Sequence, residues 1–438
     1  MKVMKFGGTS VGRPQRMKEV ARLIEGGEQK IVVLSAVSGT TNALVEIANL
    51  LSRSDRDGAK KRIEDLHEHY KTFVQELVSA PEAVKAAYAV LEEHFDFLHI
   101  ILRISFSEAL SKDILAQGEL LSTKLFSVYL KEQGVQHVLL PALDFMTLDV
   151  SGEPQIGNIR VRIMQSLRKH SNAPLFITQG FICRNARGEV DNLKRGGSDY
   201  TASLIAAAVD ATVCEIWTDI DGMHNNDPRV VGKTVAIEQL SFEEAAELAY
   251  FGAKILHPAS IWPAQQHNIP VRLLNTMQPS AKGTLITRQP ERAGVKAVAA
   301  KDGITSVNIR SSRMLLAYGF LRKVFEVFER YHTSIDMITT SEVAVSLTID
   351  NATYLPEITQ ELQALGVVET EGAQTIVSIV GHQLTQETDT LQKVFKALQG
   401  IDIRMVSYGG SSHNVSLLVP EGEKVSVLQR LNQDVFGL

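Results

Sequence analysis

The sequence predicts an α/β protein built in two parts, and three observations carry that reading. Over the first 290 residues, short apolar runs alternate with helical periods, the pattern of strands and helices packed in layers. Glycine-rich turns follow several of those runs, where helices begin. Beyond Thr287 the texture changes to a repeated strand–helix–strand–strand–helix–strand unit, the βαββαβ order.

The elements follow in sequence. Residues 3–6 form a short strand, then a glycine-rich turn. Pro14 suits the first turn of a helix with Met17, Val20 and Ile24 on one face, and Gly26-Gly27 ends it. Residues 31–36 are almost continuously apolar, as expected of a strand covered on both faces. Residues 55–110 are charged, glycine-poor and helically periodic, which predicts an inserted helical hairpin or lid. A helix through Leu121, Leu125 and Val128 returns to the sheet, with further strands at 138–140, 175–178, 213–218 and 271–274. A polar link, RQPERAG at 288–294, leads into the repeat. Thr305-Ser306-Val307-Asn308-Ile309 matches Thr375-Ile376-Val377-Ser378-Ile379 at an offset of 70 residues. Lys323-Val324-Phe325 matches Lys393-Val394-Phe395, and Val345-Ser346-Leu347 matches Val415-Ser416-Leu417, at the same offset. Three matches in register indicate a duplication.

Composition narrows the function. With 44 % hydrophobic and 22 % charged residues among 438, the chain is neither disordered nor fibrous. Forty-five basic against 50 acidic residues leave a net charge of −5, so nothing draws the whole molecule to nucleic acid or an acidic membrane. Local cationic pockets for small anions are still allowed. The two cysteines, Cys183 and Cys214, form no CxxC, which argues against a disulfide scaffold or a structural zinc site. No run approaches the length of a membrane span. A soluble, cytoplasmic protein is expected.

The glycine turns carry the chemistry. In Lys5-Phe6-Gly7-Gly8-Thr9-Ser10, two glycines let backbone amides approach a ligand and Lys5 adds a point charge, a combination that suits phosphate. It is neither a Walker A loop nor GxGxxG, and alone it also reads as a plain turn. Ser35-Ala36-Val37-Ser38-Gly39-Thr40-Thr41-Asn42 repeats the arrangement; an ordinary N-cap would look similar, but two such turns at adjacent strand ends favour one anion site. In Lys194-Arg195-Gly196-Gly197-Ser198-Asp199, Arg195 can clamp a carboxylate bidentately. Capping explains Ser198-Asp199 and leaves the preceding Arg-Gly-Gly unexplained. Thr218-Asp219-Ile220-Asp221-Gly222, Asn226-Asp227-Pro228-Arg229 and Gly252-Ala253-Lys254-Ile255-Leu256-His257-Pro258 suit a nucleotide with magnesium, or a solvated loop. Glu119 lies beside Gly118 on an otherwise apolar helix. His67 and His69, two apart on a helix, diverge and are no metal pair.

Taken together, these motifs resemble the aspartate kinases, with an N-terminal amino-acid-kinase-type three-layer αβα fold and two C-terminal ACT domains. KFGGTS, SGTTN, QGELLST, TQGF, KRGGSDYTA, TDIDG with NDPR, and GAKILHP occur in order along the chain. The resemblance implies a catalytic domain over 1–287, one ACT domain over 303–372, and a second built from 293–302 with 373–438. It implies phosphorylation of the side-chain carboxylate of L-aspartate by ATP with Mg²⁺, the first step toward lysine, threonine and methionine. By position, Lys5, Gly7, Gly8 and Ser38 would hold the transferring phosphate. Thr41, Glu119, Phe181, Arg195 and Ser198 would hold aspartate, and Asp199 would organise the catalytic Lys5. Thr218, Asp219, His224, Arg229, Lys254 and Ile255 would hold the nucleotide; no residue is assigned directly to the metal. Met314, Gly319, Phe320, Leu321, Ser334, Asp336 and Ser341 would surround an amino-acid effector, lysine or threonine. A homodimer or tetramer through the ACT domains is implied, and the length leaves no room for a fused dehydrogenase.

The chain departs from the resemblance at two places. His224 stands where many relatives carry tyrosine, and Met314-Leu315-Leu316-Ala317 replaces a run in which lysine-sensitive relatives have His-Ser. A non-catalytic amino-acid sensor on the same fold and another amino-acid kinase are the alternatives. The joint presence of Lys5, Arg195, Asp199 and Lys254 speaks against the first, and the duplicated C-terminal unit against the second.

Overall fold

The computed structural model describes the chain apart from residues 194–195, 253–255, 289–292 and 315–317 and the side chains of Arg313 and Thr388. Most of the 288–294 link and Leu315 to Ala317 therefore lie outside the described residues. Two compact units emerge: residues 1–223 with 256–288, and residues 224–255 with 289–438.

In the first unit, β1 (Lys2–Phe6), α1 (Pro14–Ile24), β2 (Lys30–Leu34) and α2 (Thr40–Ser52) open the chain. Then come α3 (Arg56–Leu77), α4 (Pro81–Ile101), α5 (Glu108–Glu132) and β3 (Val138–Leu140). The chain continues through α6 (Ala142–Phe145), α7 (Ile156–Lys169), β4 (Leu175–Gln179) and a small hairpin, β5 (Ile182–Arg184) and β6 (Val190–Asn192). After α8 (Gly197–Ala208) and β7 (Cys214–Thr218), the segment with β8 (Gln239–Ser241) and α9 (Phe242–Tyr250) belongs to the second unit. The first unit closes with α10 (Trp262–Gln266), β9 (Val271–Asn275) and β10 (Thr284–Thr287).

Seven strands of this unit run in the order β3-β4-β2-β1-β7-β9-β10. All neighbours are parallel except the last pair. Every residue of β2 is buried, which accounts for its unbroken apolar run. Lys30 tolerates that burial because its Nζ donates to the carbonyls of Ile24 (2.9 Å) and Gly26 (2.6 Å) at the end of α1, where a cation is favoured. From β1 the chain steps to β2 on one side and later returns to place β7 on the other. The crevice at such a reversal, outside the carboxyl ends of the strands, is where open α/β sheets bind ligands.

The insert is a hairpin of α3 and α4, as the periodicity suggests, but it is no lid. Ile63, Tyr70, Val74, Leu91, Phe95 and Leu98 share one apolar cluster with Met4, Val32, Leu44 and Leu125 from the sheet and its helices. Each fully buried side chain of this kind contributes about 1.5–3 kcal/mol. Swinging the hairpin away would expose several of them, a cost comparable with the whole stability of a domain, about 5–15 kcal/mol. The hairpin is a fixed wall.

The second unit contains a six-stranded antiparallel sheet. Its elements are β11 (Gly294–Arg310), α11 (Phe320–Arg330), β12 (Ile338–Thr340), β13 (Ala344–Ile349), α12 (Leu355–Leu362) and β14 (Val367–His382). They continue with α13 (Thr388–Ala397), β15 (Met405–Ser407), β16 (Asn414–Pro420) and α14 (Lys424–Phe436). The strand order is β12-β13-β11-β14-β16-β15. The repeat is visible in the register: Val307 faces Leu347, and Val377 faces Leu417. The long central strands β11 and β14 serve both copies, with Val295 paired to Gly381 and Ala300 to Val377. Residues 224–255, within the stretch assigned from sequence to the first part, pack with this unit. Asn226 Nδ2 donates to the Leu428 carbonyl (3.0 Å), Asn432 Nδ2 donates to the Lys233 carbonyl (3.0 Å), and Val231 joins the apolar cluster of the second copy. No helix among the described residues is long and apolar enough to cross a membrane.

Candidate active site

A cleft of about 540 Å³ opens at the carboxyl edge of the first unit's sheet. It gathers ten of the residues singled out from sequence: Lys5, Gly7, Gly8, Ser38, Thr41, Glu119, Phe181, Ser198, Thr218 and Asp219. β1 delivers Lys5, whose Nζ lies 2.7 Å from Asp199 Oδ1, with both side chains mostly shielded. Asp199 stands in the first turn of α8. The ammonium is thereby held at the meeting point of two glycine turns.

Glu119 is the most unusual group in the cleft. It comes from α5, is 3 % exposed, and accepts the Ala36 N–H at Oε1 (3.3 Å), while Oε2 has no partner. Burial pushes its carboxyl up to about 8. Gly118 makes the approach possible, because a Cβ there would lie 2.9 Å from Ala36 Cβ. A buried carboxyl with a free oxygen suits an incoming ammonium, which would restore its charge.

The opposite wall is α8 with the end of β4. Ser198 Oγ accepts from Ser35 Oγ at 2.9 Å. Phe181 adopts φ = 65°, a left-handed conformation that costs a bulky residue energy and marks a constrained position. Its N–H donates to Thr201 Oγ1 (2.9 Å) and its carbonyl accepts from Leu193 N (2.8 Å), which fix the turn. At the mouth, Thr218 Oγ1 donates to Asp219 Oδ1 (3.2 Å).

Arg195, Lys254 and Ile255 lie outside the described residues. His224 and Arg229 belong to the second unit. His224 Nδ1 lies 2.8 Å from Thr234 Oγ1. Arg229 forks onto Asp227 (2.8 and 2.9 Å), and that contact holds the Asp227 carboxyl below its usual range. Sequence reasoning did not single out Ser35 or Gly180. Ser35 opens a turn that was recognised only as a whole, and its partner Ser198 is 163 residues away. Gly180 is required because a Cβ there would fall 2.3 Å from Ser198 Oγ.

The expected effector residues form a mixed set. The Phe320 side chain is buried in the apolar cluster of the first copy, which leaves its backbone amide to meet a ligand. Met314 packs against the same cluster, Gly319 caps α11 at φ = 78°, and Leu321, Ser334 and Ser341 are exposed. Asp336 is already engaged. Its Oδ1 accepts from Tyr250 Oη (2.6 Å) and Lys301 Nζ (2.8 Å), while Oδ2 has no partner. Lys301 also pairs with Asp350 (2.8 Å) and lies 4.4 Å from the centre of the Tyr250 ring. An ammonium from the chain itself therefore sits where an effector's was expected.

Among the described residues, no three His, Cys, Asp or Glu side chains converge as a metal site. His67 stacks on Phe95 at 4.2 Å. Both cysteines are buried and free; burial pushes the Cys183 thiol up to about 12 and Cys214 higher still.

Comparison with known proteins places the chain. The family described as "Amino acid kinase family" matches residues 1–275, and an "ACT domain" family matches 377–435. The chain is 37 % identical over 447 residues to the lysine-sensitive aspartokinase 3 of Escherichia coli, covering 99 % of each. The crystal structure of E. coli aspartokinase III with aspartate and ADP matches at a TM-score of 0.83 and 35 % identity, covering all of both chains. The structure of that enzyme with lysine and aspartate gives 0.82 at 35 % identity, covering 100 % of this chain and 99 % of the other.

Proposed function

The chain belongs to the aspartokinases of the amino acid kinase family, and from that premise we propose how its cleft phosphorylates the side-chain carboxylate of L-aspartate to give 4-phospho-L-aspartate. The observation that carries the reading is the Lys5–Asp199 pair at 2.7 Å, set between the glycine turns. The nucleophile is a carboxylate with an unperturbed pKa of about 3.9, already ionised at neutral pH, so no general base is needed. What must be overcome is repulsion between an anion and a polyanion. A loose phosphoryl-transfer transition state responds mainly to charge neutralisation and alignment.

In this reading Lys5 neutralises the transferring phosphoryl group, and Asp199 holds the ammonium in place. Gly7, Gly8 and Ser38 cradle the phosphate oxygens. Glu119 receives the aspartate ammonium, Arg195 clamps the α-carboxylate, and Thr41, Phe181 and Ser198 complete the pocket. Thr218, Asp219, His224, Arg229, Lys254 and Ile255 serve the nucleotide, ADP being bound in one relative. Mg²⁺ would neutralise charge on the phosphate oxygens. Besides Asp199, which is paired with Lys5, two carboxylates among the described residues line the cleft, buried Glu119 and exposed Asp219, and Asp219 would hold the ion. That sparse donor set suits a cation that keeps several waters.

Residues 303–372 and 293–302 with 373–438 are proposed as two ACT domains that receive an amino-acid effector and associate into a dimer or tetramer. Lysine is the first candidate, because a relative binds it. The cytoplasm is the proposed compartment, where free thiols stay reduced. The test is ATP turnover with aspartate, glutamate and N-acetylglutamate as acceptors. Turnover with aspartate alone supports the reading; preference for another acceptor overturns it.

A further inference from the structure

We infer that Tyr70, on the helical insert, is a positioning residue for aspartate, acting through Thr40. This rests on the proposed placement of aspartate against Thr41 and Glu119. Tyr70 is fully buried, and its ring lies 6.0 Å from those of Phe73 and Phe95. Phenylalanine would fill such surroundings without having to satisfy a hydroxyl. The hydroxyl lies 2.8 Å from Thr40 Oγ1, itself 1 % exposed.

Thr40 is the first residue of α2, in the middle of a turn whose Ser38, Gly39, Thr41 and Asn42 all line the cleft. Its N–H closes the turn onto the Val37 carbonyl (3.0 Å). On its other side, a Cβ on Gly118 would come within 3.4 Å of Thr40 Cγ2. Thr40 is therefore wedged between the insert and the turn of α5 that carries Glu119. Through one buried hydrogen bond, the insert fixes the turn that carries Thr41, and Thr40 in turn packs against the helix that carries Glu119. Neither Tyr70 nor Thr40 lines the cleft, so both act through their neighbours.

The specific consequence concerns aspartate. Lys5 and Asp199 reach the phosphate from β1 and α8, elements that this hydrogen bond does not hold, whereas Ser38 shares the turn with Thr40. Tyr70→Phe and Thr40→Val are close to isosteric and keep the packing. Each is expected to raise the KM for aspartate about five- to tenfold, the equivalent of one lost hydrogen bond. The KM for ATP should rise less than that for aspartate, because only Ser38 of the phosphate-binding residues shares this turn, and Tm should change little. The double variant should be no worse than the poorer single one, since both remove the same interaction. An unchanged aspartate KM in Tyr70→Phe, or equal losses for aspartate and ATP, overturns the inference. Glu119→Gln, measured alongside, separates the two levels. If it leaves the aspartate KM unchanged, the site reading falls and the inference with it. If it raises that KM while Tyr70→Phe does not, only the role of Tyr70 falls.

Discussion

Glu119 gives the cleft a pH dependence whose sign can be worked out. Its carboxyl is raised by burial from an ordinary 4.5 to about 8, so burial favours the neutral form at pH 7. In the fold, that neutral group stabilises most below about pH 4.5, and the contribution is lost as pH rises through about 8. Binding an ammonium needs the carboxylate and so expels the proton. Aspartate affinity is therefore expected to rise between pH 6 and 8, approaching tenfold per unit well below the pKa. The aspartate KM measured over that range should fall, and Glu119→Gln should abolish the slope; a flat wild-type profile contradicts the assignment.

The internal ammonium on Asp336 bears on effector binding. On the proposed reading that Asp336 meets an effector's ammonium, that ammonium must displace Lys301 or make do with Asp336 Oδ2, the oxygen without a partner. Lys301→Met is expected to lower the lysine concentration needed for half-inhibition about five- to thirtyfold, the equivalent of one or two hydrogen bonds. A titration of both proteins checks this, and an unchanged midpoint means that Asp336 takes no part in effector binding. Such pairings were not legible in the sequence. Lys301 and Asp336 are 35 residues apart, and no periodicity relates them.

Among the elements, strand ends were the most legible and helix surroundings the least. A lysine or hydroxyl beside glycines, directly after an apolar run, locates the carboxyl edge of a parallel sheet, as Lys5 and Ser38 show. The apolar positions of α3 and α4 were equally plain, but periodicity says only that a face is buried and not what buries it. The insert was therefore open to reading as a lid. The end of β4 offers a test of how tightly these elements are fitted. A Cβ on Gly180 would lie 2.4 Å from Ser198 Cβ and 2.8 Å from its Cα, so Gly180→Ala must displace the first turn of α8 with Ser198 and Asp199. A fall of at least tenfold in kcat/KM for aspartate is expected, with overpacking costing about 1–3 kcal/mol of stability. Wild-type kinetics and Tm together would show that this turn gives way freely.

For the whole molecule, the 70-residue offset announced the second unit, and the paired registers of Val307–Leu347 and Val377–Leu417 repeat it in space. The offset could not reveal that residues 224–255 join that unit, because Asn226 and Val231 carry no mark of their distant partners. The duplicated helices also leave equivalent aromatic rings exposed, Phe325 at 41 % and Phe395 at 42 %. Exposed apolar residues repeated in this way suit a symmetric interface. Sedimentation at micromolar concentration is expected to show at least a dimer, and a monomer contradicts the proposed association.

In the proposed reaction Lys5, held by Asp199, neutralises a phosphoryl group on its way to the aspartate side chain. Its product is an acyl phosphate, which hydroxylamine traps as a hydroxamate. The decisive measurement is the rate of hydroxamate formation from ATP and aspartate at saturating substrates, for wild type, Lys5→Ala and Asp199→Ala. Wild type should form the hydroxamate, and both variants should lose at least about a hundredfold in kcat while remaining folded, the scale of removing one transition-state charge contact. No hydroxamate from wild type, or near-normal kcat in Lys5→Ala, would contradict it.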